Sequence, residues 1–371
     1  MAIQKVSLQQ FLQLGKVHPI LDVRSPGEYA IAHIPNALNL PLFSDEERKV
    51  VGTAYKQQSR EKAIKIGLDY FGVKMRSMVE EAEKLCKIFT ATSNANSGEA
   101  DTSVTTANQN CILVHCWRGG MRSAGVAWLL DLYGFKVYSL SGGYKKYREW
   151  VRLQFEQIYP LVIIGGYTGS GKTYVLQQLL QQGYPIIDLE KLANHKGSAF
   201  GSLGEAPQPK QEMFENLLAE KLDEIKLQQP GLTKNIYVED ESQRIGAINI
   251  PNNFWAQMRE SPLQFLEIPF EERLDLLTEE YGRFEVASLA DSTLRLQKRL
   301  GGLETKRAIE YLEADNPKEA FRILLKYYDK YYEKGLHKRD NLSSVLKKIS
   351  CHNTDAFINT QKLIDENKEN L

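Results

Sequence analysis

Pro160-Leu-Val-Ile-Ile164 is an unbroken apolar run. It leads through Gly165 into Gly166-Tyr-Thr-Gly-Ser-Gly171-Lys172-Thr173, a full GxxxxGKS/T pattern, with helical residues after it over 174–182. No other local feature of the chain restricts its fold as much. Amide groups of such a loop wrap phosphate oxygens, the lysine neutralises them, and the hydroxyl reaches a metal ion. A loop of this kind hangs between a buried strand and a helix, so the surrounding chain has to build a sheet with helices on its faces. Gly166, Gly169, Ser170, Gly171, Lys172 and Thr173 are the expected phosphate-binding residues. The pattern suits ATP, GTP or another diphosphate.

A second loop follows the same grammar. Cys111-Ile-Leu-Val-His115 is a short apolar strand. It delivers Cys116 to the loop Trp117, Arg118, Gly119, Gly120, Met121 and Arg122, with a helix expected over 123–133. A cysteine at a strand's end, just ahead of a helix N-terminus, faces converging N–H groups and the positive end of the helix. Both stabilise a thiolate and can hold an oxyanion. Arg122 adds a charge-assisted fork for that anion. Cys116 is therefore the expected catalytic residue, while Cys86, Cys111 and Cys351 lack such neighbours and read as structural. Four cysteines in 371 residues, with no CxxC pair, exclude a disulfide scaffold and a cysteine zinc site.

Strands are expected at 19–23, 111–115 and 136–140, with helices at 77–89 and 123–133 among them. A helical connector runs from about 142 to 159, and the pattern then restarts, with strands at 161–164, 185–189, 235–239 and 264–268 and a helix over 210–228. Alternating strands and helices imply parallel sheets covered on both faces. From about residue 271 only helical periodicity remains. The expected organisation is a first α/β domain over 1–150, a phosphate-loop domain of parallel α/β type over 151–275 and a helical C-terminal region over 276–371. The polar segment 91–109, ATSNANSGEADTSVTTANQ, reads as a surface loop. Asp188, Glu239 and Asp240 stand at strand ends, where they either hold Mg2+ or substrate or are simply solvated. No apolar run approaches the roughly 18–20 residues of a membrane span. The start of the chain carries no charged region followed by an apolar stretch. A cytoplasmic protein with no membrane partner is expected.

The stretch 21–41, LDVRSPGEYAIAHIPNALNLP, resembles the opening motif of a rhodanese domain, and Ser141-Gly-Gly-Tyr144 with Trp150 resembles its closing motif. The resemblance implies a rhodanese-like α/β domain in which Cys116 carries sulfur or selenium, and in which Asp22, Arg24, Glu28 and His33 are structural. Five residues separate Cys116 from Arg122, one more than in the common sulfurtransferase loop. His-Cys-x5-Arg is also the signature of cysteine-dependent phosphatases, and the wider cradle suits a phosphate-sized group. The loop alone thus leaves chalcogen transfer from a phosphate-containing donor and phosphatase chemistry both open.

The two domains together resemble the tRNA 2-selenouridine synthase family. The resemblance is carried by 115–123, HCWRGGMRS, by 166–173, by 192–201, LANHKGSAFG, and by 239–246, EDESQRIG. SDEER at 44–48, VGTAY at 51–55 and AIKIGL at 63–68 also fit it. The resemblance implies a tRNA-modifying transferase that replaces sulfur by selenium in the wobble 2-thiouridine. It implies selenophosphate and geranyl diphosphate as donors and an S-geranyl intermediate. The competing readings are a rhodanese-type sulfurtransferase or cysteine-dependent phosphatase with a regulatory nucleotide-binding domain, and a non-catalytic RNA-binding module. The net charge is zero, with 47 Lys and Arg against 47 Asp and Glu, so tRNA binding requires local patches. Lys145, Lys146, Arg148 and Arg152 form one on the connector, and Arg295, Lys298, Arg299, Lys306 and Arg307 form another. Each can equally be a solvated helix face. Tyr327, Tyr328, Tyr331 and Tyr332 read as packing residues.

Overall fold

The computed structural model describes residues 3–97 and 110–368. The chain divides into two compact units, Met1–Leu153 and Gln154–Leu371.

The first unit contains β1 (Gln4–Val6), α1 (Leu8–Gly15), β2 (Ile20–Asp22), α2 (Pro26–Ile31), β3 (Leu38–Asn39), α3 (Asp45–Gln57), α4 (Arg60–Ser97), β4 (Cys111–His115), α5 (Met121–Tyr133), β5 (Lys136–Leu140) and α6 (Gly143–Gln154). Its strands form one parallel sheet of order β1-β5-β4-β2-β3. Every residue of β4 is buried, as a central parallel strand with both faces covered requires. Ile112 and Val114 pack with Val126 and Leu130 of α5 in the core. From β2 the chain moves outward to β3, and from β4 it moves the other way to β5. Loops that part in this manner open a crevice at the carboxyl ends of the two strands, where ligands bind in open α/β sheets. Cys116 follows β4 at that point.

One expectation about this unit is corrected. Residues 91–97 are the last turns of α4 rather than loop. Once a helix is nucleated each further residue joins at little cost, and no Gly or Pro interrupts the sequence between Gly72 and Gly98. The rest of the polar segment, 98–109, lies outside the described residues.

The second unit opens with β6 (Leu161–Gly165), α7 (Lys172–Gln181), β7 (Ile186–Ile187), α8 (Leu189–Ala193), α9 (Gln211–Gln228), β8 (Ile236–Glu239), β9 (Arg244–Ile245), β10 (Ile248–Asn249), α10 (Asn252–Glu260) and β11 (Leu263–Glu267). Helices α11 (Phe270–Tyr281), α12 (Val286–Leu294), α13 (Gln297–Leu300), α14 (Gly302–Glu313), α15 (Pro317–Leu336) and α16 (Leu342–Val345) follow, then β12 (Leu346–Ser350) and α17 (Ala356–Lys368). The main sheet is parallel, in the order β12-β11-β6-β8-β7, with wholly buried β6 at its centre. The C-terminal region is helical, as expected, except for β12. That strand returns to the sheet and pairs with β11 along its whole length. A separate helical core joins α11, α12, α14 and α15 through Leu274, Leu289, Ala308, Leu312, Phe321 and Leu325.

Candidate functional site

The Cys116 loop is fixed by its immediate surroundings. Tyr144 N–H donates to Cys116 O and Lys145 N–H to Trp117 O, each at 2.8 Å, so the Gly-Gly-Tyr turn behind β5 holds the loop by its backbone. Gly119 and Gly143 both have positive φ (63° and 60°) and lie back to back. A Cβ on Gly143 would collide with Cys116 O and Gly119 N, so this approach demands glycine. Cys116 is 3% exposed, and its Sγ lies 3.2 Å from Ser123 Oγ. Burial pushes the Cys116 thiol up, but the Ser123 hydroxyl, the amides of Ser123 and Arg118 and the Arg122 charge outweigh it, and the net shift is downward. The other three thiols move the opposite way. Burial raises Cys111 and Cys351, and raises Cys86 to about 11. Only Cys116 carries converging donors, as the strand-end placement predicts.

Arg122 behaves differently from expectation. Its guanidinium edge is turned to Glu28, with Nη1 donating to Oε2 at 2.7 Å, so it acts on the sulfur by charge rather than as a free fork. Glu28, expected to be structural only, therefore belongs to the loop's support. Asp22 and Arg24 form a buried pair beneath it. Arg24 Nε donates to Asp22 Oδ2 at 2.9 Å, Arg24 Nη2 donates to Ala32 O at 2.7 Å, and the guanidinium stacks 3.8 Å from the Tyr144 ring centre. His115 is fully buried. Burial lowers its pKa despite the opposing Asp22 carboxylate, so the ring is neutral. These residues brace the loop and offer no open group to a substrate. Trp117, Arg118, Gly120 and Met121 are exposed around it.

The phosphate loop is fixed from far along the chain. Gly166, Gly169 and Gly171 have positive φ, and Lys172 Nζ donates to Gly166 O at 3.1 Å across the loop. Ser170 is 1% exposed, and its Oγ has no hydrogen-bond partner among the described residues, an orphaned donor in an anion cradle. Gly166 N–H donates to Tyr332 Oη at 3.3 Å, and that hydroxyl donates to Asp240 Oδ2 at 2.6 Å. Asp240 also pairs with buried Arg339. Arg273 donates to Thr168 O at 3.1 Å while forming a two-pronged pair with Asp329 at 2.8 Å. The packing role expected of Tyr332 is thus incomplete, since it ties α15 to the loop and to the end of β8.

The carboxylates Asp188, Glu239 and Asp240, left open between a metal or substrate role and solvation, are mostly engaged elsewhere. Asp188 caps α8, accepting from Lys191 N–H at 2.8 Å. Glu239 is 1% exposed and accepts from Glu190 N–H at 2.9 Å. Burial and the neighbouring Asp188 and Glu190 charges push it well above its ordinary value. Asp240 is held by Tyr332 and Arg339. Among the described residues no group of three or more His, Cys, Asp or Glu side chains is arranged to hold a metal ion. The sequence did not point to Glu190, whose Oε2 accepts from Thr173 Oγ1 at 3.2 Å.

A cavity of about 1180 Å³ opens over this loop. Gly169–Thr173 floor one part of it. Leu276, Leu277, Phe321, Leu324 and Leu325 contribute an apolar wall, and Arg295, Lys298 and Arg299 a basic one. Tyr327, Tyr328 and Tyr331 line it too, so these tyrosines face a site as well as packing. On the connector, Lys145, Lys146 and Arg152 are exposed, but Arg148 is only 6% exposed and so drops out of that basic face.

A parallel unit with a strand-end thiol of lowered pKa, on the same chain as a phosphate-loop unit whose cavity has both charged and apolar walls, defines a rhodanese-type protein fused to a phosphate-loop domain. Residues 5–149 match the family model described as rhodanese-like domain, and residues 159–287 match the model described as tRNA 2-selenouridine synthase AAA domain. The chain is 33% identical to the tRNA 2-selenouridine synthase of a Sulfurovum species over 92% of its own length and 94% of the relative's. It is 31% identical to that of Bdellovibrio bacteriovorus over 97% and 100% of the two chains. Against that of Hydrogenovibrio crunogenus it is 34% identical over 86% and 90%. The chain belongs to the tRNA 2-selenouridine synthase family. It is an enzyme of tRNA selenium modification.

Proposed function

We propose that the two loops run two successive steps on the wobble 2-thiouridine of tRNA. At the Gly166–Thr173 loop the thiocarbonyl sulfur is alkylated by geranyl diphosphate. At the Cys116 loop selenium from selenophosphate replaces the S-geranyl group. Alkylation makes the sulfur a better leaving group, so the order is chemically required. In the second step a C2–Se bond forms, the C2–S bond breaks with release of geranyl thiol, and water cleaves the P–Se bond to release phosphate.

The observation that carries this reading is the cavity, in which a phosphate cradle with Lys172 opens beside a leucine and phenylalanine wall. That combination suits a diphosphate with a hydrocarbon tail. Lys172, the Ser170 hydroxyl and the loop amides stabilise the departing diphosphate. The Thr173 hydroxyl and Glu190 are the donors that fit Mg2+, which would take its remaining ligands from diphosphate oxygens and water. When bound, the ion neutralises leaving-group charge. Cys116, with its lowered pKa, serves the selenium step as a thiolate in an oxyanion cradle. Lys145, Lys146 and Arg152 supply charge for tRNA. Among the described residues no helix is long and apolar enough to cross a membrane, and we place the reaction in the cytoplasm. The test is mass spectrometry of nucleosides from 2-thiouridine tRNA incubated with the protein, first with geranyl diphosphate and then with selenophosphate. S-geranyl-2-thiouridine should form and then give way to 2-selenouridine. Tight ATP turnover stimulated by tRNA, with no geranylated nucleoside, would contradict the reading.

A further inference from the structure

Alkylation of a 2-thiouracil ring has a proton to dispose of. The sulfur lone pair forms the S–C bond, and the C–O bond of the donor breaks with its electrons going to the diphosphate. The product is neutral only if the N3–H bond electrons become the C2=N3 double bond and the proton leaves. We infer that His195 accepts this N3 proton, acting as the general base of the alkylation step. The inference rests on the geranyl transfer proposed above and adds to it the residue that completes its proton balance.

His195 lines the same cavity as Lys172 and Thr173. Its backbone N–H donates to Glu190 O at 3.0 Å, and the Glu190 carboxylate holds Thr173, so one short segment braces both the imidazole and the phosphate loop. The ring is clamped by two glycines. A Cβ on Gly201 would lie 2.8 Å from its Cε1 and Nδ1, and a Cβ on Gly246 would lie 2.8 Å from its Cδ2. Both glycines come from stretches, 192–201 and 239–246, whose conspicuous residues the phosphate chemistry leaves unexplained. The residue is 9% exposed; Nδ1 is buried against Gly201 with no hydrogen-bond partner among the described residues, which leaves Nε2 as the ring nitrogen available to the cavity.

The other carboxyl and phenol groups of the cavity are poorly suited, and Glu280 among them is engaged by the Tyr174 hydroxyl. The Glu190 carboxylate is engaged by Thr173 Oγ1, and burial together with the Glu190 charge pushes Glu241 well above its ordinary value. Asp240 is occupied by Tyr332 and Arg339. Burial raises Tyr281, and raises Tyr328 to about 12, so both are phenols at neutral pH. Burial and Arg295, which follows α12, lower the His195 pKa, with Glu205 opposing. Lys196 sits 3.8 Å from Glu205 and offsets its charge.

The experiment uses the full chain, 2-thiouridine tRNA and geranyl diphosphate, with S-geranyl nucleoside formation followed in single turnovers across acid to alkaline pH. His195→Ala and the more conservative His195→Gln should both be about 100-fold slower at neutral pH, the usual scale of a lost general base. Binding of tRNA and of geranyl diphosphate should be unchanged. The defect should shrink at alkaline pH, where N3 ionises unaided, and added imidazole should partly restore His195→Ala. His195→Gln carries the test should the alanine variant fold poorly. A wild-type protein that makes no S-geranyl product would remove the geranyl-transfer reading and this inference with it. A productive wild type matched by His195→Gln in rate and pH profile would overturn the inference alone. Slow variants rescued by neither alkaline pH nor imidazole would also overturn it, leaving His195 as a structural residue.

Discussion

The two loops share one architecture and differ in what holds them. Each leaves the buried central strand of a parallel sheet and runs into a helix. The Cys116 loop is braced mostly from within about thirty residues, by Ser123 at the sulfur and the Gly143-Tyr144 turn at its carbonyls, with Glu28 reaching in from further away. The Gly166–Thr173 loop is braced by Tyr332 and by Arg273 with Asp329, all more than a hundred residues along the chain. The chemistry diverges in parallel. The first loop gathers donors around one atom and lowers its pKa. The second opens onto a large cavity whose buried carboxyls are pushed up. One is a compact anion cradle built around a nucleophile. The other, on the proposed reading, is a leaving-group site whose cavity the helical C-terminal region helps to line.

The strongest way to break this comparison is Lys172→Ala. Geranylation should fall by about 10²–10³-fold, the scale for losing a donor aimed at developing charge. Selenation of pre-geranylated tRNA should survive. Loss of both steps would mean that the loops do not divide the work.

Next in size is Tyr332→Phe. It strips the bridge between Gly166 N–H and Asp240, leaving buried polar groups unpaired at about 1–3 kcal/mol. The unfolding free energy of the second unit should fall by that amount and geranyl diphosphate should bind more weakly, while the pH dependence of Cys116 alkylation stays as it is.

Ser123→Ala sharpens the other side. It removes a hydroxyl hydrogen bond worth about 0.5–1.5 kcal/mol, so the Cys116 pKa should rise and its alkylation at neutral pH should slow several-fold. The sign follows from the shift: groups that stabilise the thiolate hold its pKa down, so losing one moves the reactivity midpoint to higher pH.

The smallest effect concerns tRNA alone. Changing Lys145, Lys146 and Arg152 to Glu should lower the salt slope of tRNA binding by about 2–3, without altering either loop's chemistry on a free nucleoside. An unchanged slope would remove that face from the binding surface.

The sequence carried the two loops well because both are local. Cys111–His115 and Lys136–Leu140 are strands to the residue, and the thiol and the phosphate cradle lie where strand-end logic puts them. Contacts across long separations left no such trace. Tyr332 and Glu28 read as packing and scaffold because their partners, Gly166 and Arg122, lie 166 and 94 residues away. Strand β12 was hidden for another reason. In Leu-Lys-Lys-Ile-Ser only Ile349 is buried, so an edge strand inside a lysine-rich helical stretch shows no alternation to read. Arg148 illustrates the converse, since a basic run on a helix does not tell which of its members turns inward.

The central claim is that Cys116 serves selenium insertion and not geranyl transfer. The most direct measurement is nucleoside mass spectrometry on 2-thiouridine tRNA treated with Cys116→Ala protein, geranyl diphosphate and selenophosphate. The variant should accumulate S-geranyl-2-thiouridine and make no 2-selenouridine. Abolished geranylation, in a variant that folds and binds tRNA normally, would make the two loops a single site and contradict the account.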